Sequence, residues 1–276
     1  MRKYTSAARM PLWKWGLCLV FGVAIFLGLY VGSQYACGAV TSTWWQQALF
    51  LTGAGLVGLF LYAVWTNLTE RRPVAELSMK RLLPGLGSGF LLGIVYFGCV
   101  VGIMALLGAF RITEAHFDAP VMLQYLAYFF LVAVFEEIVF RGVLFRLIDD
   151  RWNTAVALIV SALVFGAMHL MNPGATLWSA FAIAVEAGLL FGVVYKCSGT
   201  LWVPIGIHWA WNFVQGNVLG FAVSGNPVTD KIFSAIISGP DWITGGRFGA
   251  EASVPAVVVG LLLTVVLLCK CKRDDR

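Results

Sequence analysis

Eight long apolar runs, at residues 12–32, 44–65, 83–109, 121–145, 154–171, 177–195, 200–221 and 254–269, constrain this chain more than any other feature. A helix of about 20 apolar residues crosses the hydrocarbon core of a bilayer. Within lipid only a helix or a closed barrel satisfies every backbone N–H and C=O. Runs of this length, repeated, predict an all-α, polytopic membrane protein with about eight transmembrane helices. Composition points the same way: 60% of the 276 residues are hydrophobic and 12% are charged, against about 25% charged in soluble domains. Such a chain has too little polar side chain to cover a water-soluble globule, and too much apolar surface to stay disordered. The loops are short apart from 222–253, and no soluble domain is appended, so residues 1–276 read as a single membrane domain. The first run contains Lys14 and is followed by no A-x-A site, which argues against a cleavable signal peptide.

The formal net charge is +5. The basic residues lie in small clusters and form no stripe along which a phosphate backbone could run, so nucleic acid is not an expected partner. Their distribution fits orientation instead. With eight spans and an inside N-terminus, the inside segments hold Arg2, Lys3, Arg9 and Lys14; Arg71, Arg72, Lys80 and Arg81; Arg141, Arg146 and Arg151; Lys196; and Lys270, Lys272, Arg273 and Arg276. These are 16 of the 19 basic residues, which predicts that both termini are cytoplasmic. The six cysteines fall in or beside apolar runs and read as small buried or interfacial hydrophobes rather than a disulfide framework. Cys269 and Cys271 lack the neighbouring His or acid that a metal site would need.

Charges inside spans are costly, about 2.5–3.5 kcal/mol for Asp, Lys or Arg at a helix centre, and so mark candidate sites. Glu137 and Arg141 stand at i,i+4 with the acid first, the favourable order for a helical ion pair. Glu136 is turned about 100° from Glu137 and lacks that arginine as its direct partner. A carboxylate in a poorly solvated cavity suits general acid–base work. The turn between the fourth and fifth runs falls near Asp149–Arg151, and helical rise then places Glu136 and His169 at similar depth on adjacent antiparallel helices. His208 and Asn212, also at i,i+4, share one face of the seventh run. Together these supply a carboxylate base, imidazoles for water or metal, and an amide for an oxyanion. Glu186 lies mid-run and reads as a structural acid bonded to a neighbouring helix, with a place in the cavity as the alternative.

At these residues the chain resembles the CAAX-protease and bacteriocin-processing family, the Abi or Rce1-like intramembrane endopeptidases. The pattern EExxxR, FxxxH, HxxxN stands here as Glu136-Glu137-x-x-x-Arg141, Phe165-x-x-x-His169 and His208-x-x-x-Asn212, all within 130–215. The run Gly199 to Phe213 is similar to the surroundings of the third motif, and Arg72-Pro73-Val74-Ala75-Glu76-Leu77 has a weaker family character. The resemblance implies an all-helical membrane peptidase acting on membrane-associated or lipidated proteins, prenylated ones among them. Catalytic roles would fall to Glu136, His169, His208 and Asn212, with Glu137 and Arg141 in support. It also leaves open a divalent metal such as zinc, held by His169 and His208. Two other classes bury similar residues: a proton-coupled transporter, and a non-enzymatic membrane scaffold for bacteriocin immunity or secretion. Against the transporter, the sequence shows no repeated halves or paired interrupted helices.

Overall fold

A computed structural model describes residues 10–274 of the chain. Arg2, Lys3, Arg9 and Arg276, used above for orientation, lie outside them, as do the side chains of Lys272 and Arg273. The apolar runs fold as helices: α1 (Leu12–Val40), α2 (Trp44–Glu70), α3 (Leu82–Leu106), α4 (Ala119–Glu137), α5 (Arg146–Arg151) and α6 (Thr154–Met168). The second half adds α7 (Leu177–Ile183), α8 (Leu190–Ser198), α9 (Trp202–Phe213), the short α10 (Asp241–Thr244) and α11 (Val254–Asp274). Local chemistry sets several ends. Asp118 accepts from Val121 N–H at the start of α4, Asn153 from Val156 N–H at the start of α6, and Gly199 closes α8 with a left-handed φ of 63°.

Among the described residues, six helices are long and apolar enough to cross a membrane: Leu12–Val40, Trp44–Glu70, Met79–Leu106, Thr154–Met171, Leu177–Ser198 and Val254–Cys271. The expectation of about eight is corrected to that extent. The runs 121–145 and 200–221 are helical too, but they are largely buried, enclosed by the other helices. Their apolar side chains serve an interior rather than a lipid face. The chain also departs from all-α in one place. Strand β1 (Phe110–Ala115) pairs antiparallel with β2 (Phe233–Ile237), Phe110 opposite Ile237, which ties the α3–α4 connection to the long 222–253 segment.

Close approach of α3 and α9 depends on glycine. A Cβ on Gly89 would meet the Val203 carbonyl oxygen at 2.3 Å, and one on Gly206 the Leu86 carbonyl at 2.6 Å. Small residues at such spacing let helix backbones meet, and here they bring the helix bearing His208 against α3.

Three α-helices pass into π-helical turns, over Ile138–Phe145, Ala184–Leu189 and Val214–Val218. Such turns are rare and concentrate at functional sites. The first lies against a buried polar network. The Gly142 carbonyl accepts from Arg146 Nε at 2.8 Å and lies 3.0 Å from the Tyr62 hydroxyl. Tyr62 also bonds Glu76 at 2.6 Å, Arg72 bonds Glu76 at 2.6 and 2.9 Å, and Arg146 bonds Glu70 at 2.5 and 2.7 Å. All of these side chains are buried. Counting Arg72 and Arg146 simply as charges of inside segments is therefore corrected: each is paired with interior carboxylates, whose attraction offsets the loss of water. Burial pushes the Glu76 carboxyl up, but the Arg72 hydrogen bonds and the Arg146 charge outweigh it and hold it below the usual range. Removing the hydroxyl with Tyr62→Phe leaves buried acceptors short of a donor. It is expected to cost about 1–3 kcal/mol, read as a lower melting temperature in detergent.

The reading of the cysteines as small buried or interfacial hydrophobes is corrected at one pair. Cys197 and Cys271 form a disulfide with Cα atoms 5.8 Å apart, because the ends of α8 and α11 lie side by side. Cys18 and Cys37 are buried thiols, and Cys99 and Cys269 exposed ones.

Candidate active site

The family-like motifs converge. Glu136, His169, Glu186, His208 and Asn212 all line one cavity of about 260 Å³, walled by Phe140, Phe165, Phe191 and Trp211. Glu137 sits behind it, fully buried, and accepts from Arg141 at 2.8 Å and from His208 Nδ1 at 3.0 Å. Arg141 also donates to the carbonyls of Ala187 and Gly188 at 2.9 and 3.1 Å. Its guanidinium lies over the rings of Phe165 and Phe191, at 4.9 and 5.2 Å. Cation–π contacts of this kind add to its retention in a site shielded from water. Glu137 and Arg141 thus lock the first π turn to the second and fix the imidazole of His208.

These contacts assign tautomers to neutral rings. A carbonyl only accepts, so the His169 Nδ1, 2.7 Å from Phe165 O, carries the proton and leaves Nε2 with its lone pair. The same logic makes His208 Nδ1 the donor to Glu137, turning Nε2 towards Glu136 Oε2 at 3.8 Å. That separation exceeds a hydrogen bond. Glu136 Oε2 is buried and makes no hydrogen bond among the described residues. The 100° offset between adjacent acids has a direct result here: one carboxylate is tied up by arginine and histidine, while the other is offered to the cavity.

Glu186, expected to be structural, holds both positions. Its Oε2 lies 3.2 Å from the Tyr96 hydroxyl, and the residue also lines the cavity. Another acid on the wall, Glu251, was not singled out from sequence; it comes from the long 222–253 segment, as do Ser224 and Asn226. The available signal was slight: a lone acid among Gly249, Ala250, Ala252 and Ser253, residues small enough to let the backbone close in. Burial pushes the Glu251 carboxyl up to about 7, against the pull of the Ser224 N–H and hydroxyl. Asp150, at the end of α5, is likewise pushed up to about 7 by burial, against the pull of Arg146. Folded protein therefore holds protons at both that the unfolded chain releases. Their contribution to stability is complete at acid pH and is lost as pH rises through about 7. Melting temperature in detergent is expected to fall across that window, and the slope to flatten in Glu251→Gln.

His169 and His208, the pair expected to hold a metal, both line the cavity. Among the described residues, no three His, Cys, Asp or Glu side chains converge to hold an ion. Each imidazole has Nδ1 held, by the Phe165 carbonyl in His169 and by Glu137 in His208, which leaves Nε2, the arrangement usual for metal-ligating histidines.

Residues 118–214 match the family model of the type II CAAX prenyl endopeptidases, Rce1-like. That segment runs from the start of α4 to the end of α9 and contains every motif residue named above. The chain is also 32% identical over 78 residues to the uncharacterized protein YpbD of Bacillus subtilis (strain 168), a match covering 28% of this chain and 36% of that relative. The two are thus alike over about a third of the relative's length.

Proposed function

We propose that this multi-pass membrane protein is an endopeptidase of the Rce1-like kind, hydrolysing peptide bonds of membrane-associated or lipidated proteins in the cavity lined by Glu136. The observation that carries the proposal is the asymmetry of the acid pair. Glu137 is paired with Arg141 and hydrogen-bonded by His208, while Glu136 presents an oxygen without a hydrogen bond opposite the His208 imidazole. Glu136 takes a proton from water placed between it and His169 Nε2, and the resulting hydroxide adds to the scissile carbonyl. Asn212 donates its side-chain amide to the oxyanion as it forms, from the helix face it shares with His208, whose imidazole Glu137 holds in place. The proton held by Glu136 then passes to the leaving amine. The surrounding aromatic wall keeps bulk water away and strengthens each of these interactions. In this account both termini face the cytoplasm, and isoprenylated proteins are within the substrate class.

The test is comparative. Membranes from cells producing the wild-type protein are expected to contain new protein termini absent from cells producing the Glu136→Gln variant. Identical sets of termini, with both proteins present at equal levels, would contradict the proposal. A proton-dependent solute flux that Glu136→Gln abolishes would support the transporter instead.

A further inference from the structure

The segment Val223–Asn226 is a two-residue hairpin. Val223 and Asn226 exchange both backbone hydrogen bonds at 2.9 Å, and the central residues Ser224 and Gly225 have φ of 47° and 82°. Positive φ at both centres is the type I′ geometry, for which Asn-Gly and Asp-Gly are the favoured pairs. Glycine accounts for the second position. Serine at the first is strained, since a left-handed conformation crowds the Cβ of most side chains. Something outside the turn must hold it there.

We infer that Glu251 is that restraint, and that it acts as a positioning residue for His169. Its carboxylate accepts from the Ser224 N–H at 2.7 Å and from the Ser224 hydroxyl at 3.2 Å, and it is buried. The pinned turn is the seat for the chain that follows His169. Asn172 Nδ2 donates to Ser224 O at 3.0 Å, and Gly225 lies so near Pro173 that a Cβ there would come 1.9 Å from its carbonyl oxygen. Gly225 N–H in turn bonds the Phe248 carbonyl at 2.7 Å, joining the turn to the loop that carries Glu251. His169 begins the single 3-10 turn His169–Met171, which ends at Asn172. The imidazole is therefore braced from one side by the Phe165 carbonyl and from the other through Asn172, Ser224 and Glu251. Asn172, Ser224 and Glu251 all line the cavity with His169, so the brace is part of its wall. This role rests on the proposed peptidase activity.

The experiment pairs steady-state kinetics on a cleavable reporter peptide with hydrogen exchange of the backbone at 169–175 and 222–226, in full-length protein in detergent. Glu251→Ala is expected to lower kcat by about 10²-fold, the scale of a catalytic group displaced by about 1 Å, with KM little changed and exchange faster in both segments. Glu251→Gln keeps an acceptor for the Ser224 N–H and is expected to retain most of kcat. Adding Ser224→Gly to Glu251→Ala removes the strain at its source and is expected to restore much of kcat and of the exchange protection. The inference is overturned if Glu251→Ala leaves exchange in both segments unchanged. It is equally overturned if Glu251→Gln is as slow as Glu251→Ala while its exchange remains native, because the carboxylate would then act on substrate directly. If the wild-type protein cleaves nothing, the peptidase assignment fails by itself, and exchange still decides whether Glu251 holds the turn.

Discussion

Glu136→Gln is expected to lower turnover of a cleavable peptide by at least about 10²–10⁴-fold, the usual contribution of a positioned general base, while leaving the protein folded. The two halves of this expectation have separate causes. Turnover falls because an amide cannot accept the proton of the attacking water. Folding survives because the substituted oxygen makes no hydrogen bond among the described residues, and the side chain keeps its shape. Its imidazole neighbour is anchored through Glu137, not through Glu136. Purified protein with an unchanged melting temperature and no cleavage is the expected result. Loss of folding in parallel with activity would place Glu136 among the structural acids instead.

Arg141→Ala is expected to destabilise the protein by about 3–5 kcal/mol, the scale for removing one partner of a buried ion pair. The change strands Glu137, fully buried, and takes the donor from the carbonyls of Ala187 and Gly188. It also empties the space over the Phe165 and Phe191 rings. Expression and melting temperature should both fall. A paired replacement, Glu137→Leu with Arg141→Met, removes both charges together and is expected to recover much of the stability. Turnover should stay low, because His208 has lost the carboxylate that orients it. Recovery of folding without activity separates the pair's stabilising role from its role in orientation. Full activity in the paired variant would show that Glu137 does not set the His208 imidazole.

Much of the site was legible because the bilayer makes buried polarity conspicuous. Glu136, Glu137, Arg141, His169, His208 and Asn212 stand out where each is expensive, and helical spacing alone pairs Glu137 with Arg141. The structure gathers the cavity residues as that spacing implies. What escaped lies where sequence gives no period. Arg72, Glu76 and Arg146 look like charges of inside loops, because nothing in a linear count separates a charge in water from one facing another buried charge. Glu251 and Ser224 sit in a segment whose Gly, Pro and Asp content reads as a solvent loop, although β2 and the Ser224 hairpin bind it to the core. The π turns were equally invisible. The first packs against Tyr62, which bonds Gly142 from 80 residues away in the chain. The disulfide likewise depends on two helix ends meeting across 74 residues.

The central claim is that Glu136 and His169 act on one water molecule, and a kinetic double-mutant cycle tests it most directly. Turnover of the same reporter peptide is measured for wild type, Glu136→Gln, His169→Ala and the double variant, each confirmed as folded. Residues that act as a unit are strongly non-additive. The double variant is therefore expected to be no slower than the slower single one. Losses that multiply across the cycle, or wild-type turnover in His169→Ala, would contradict a shared water and with it the proposed mechanism.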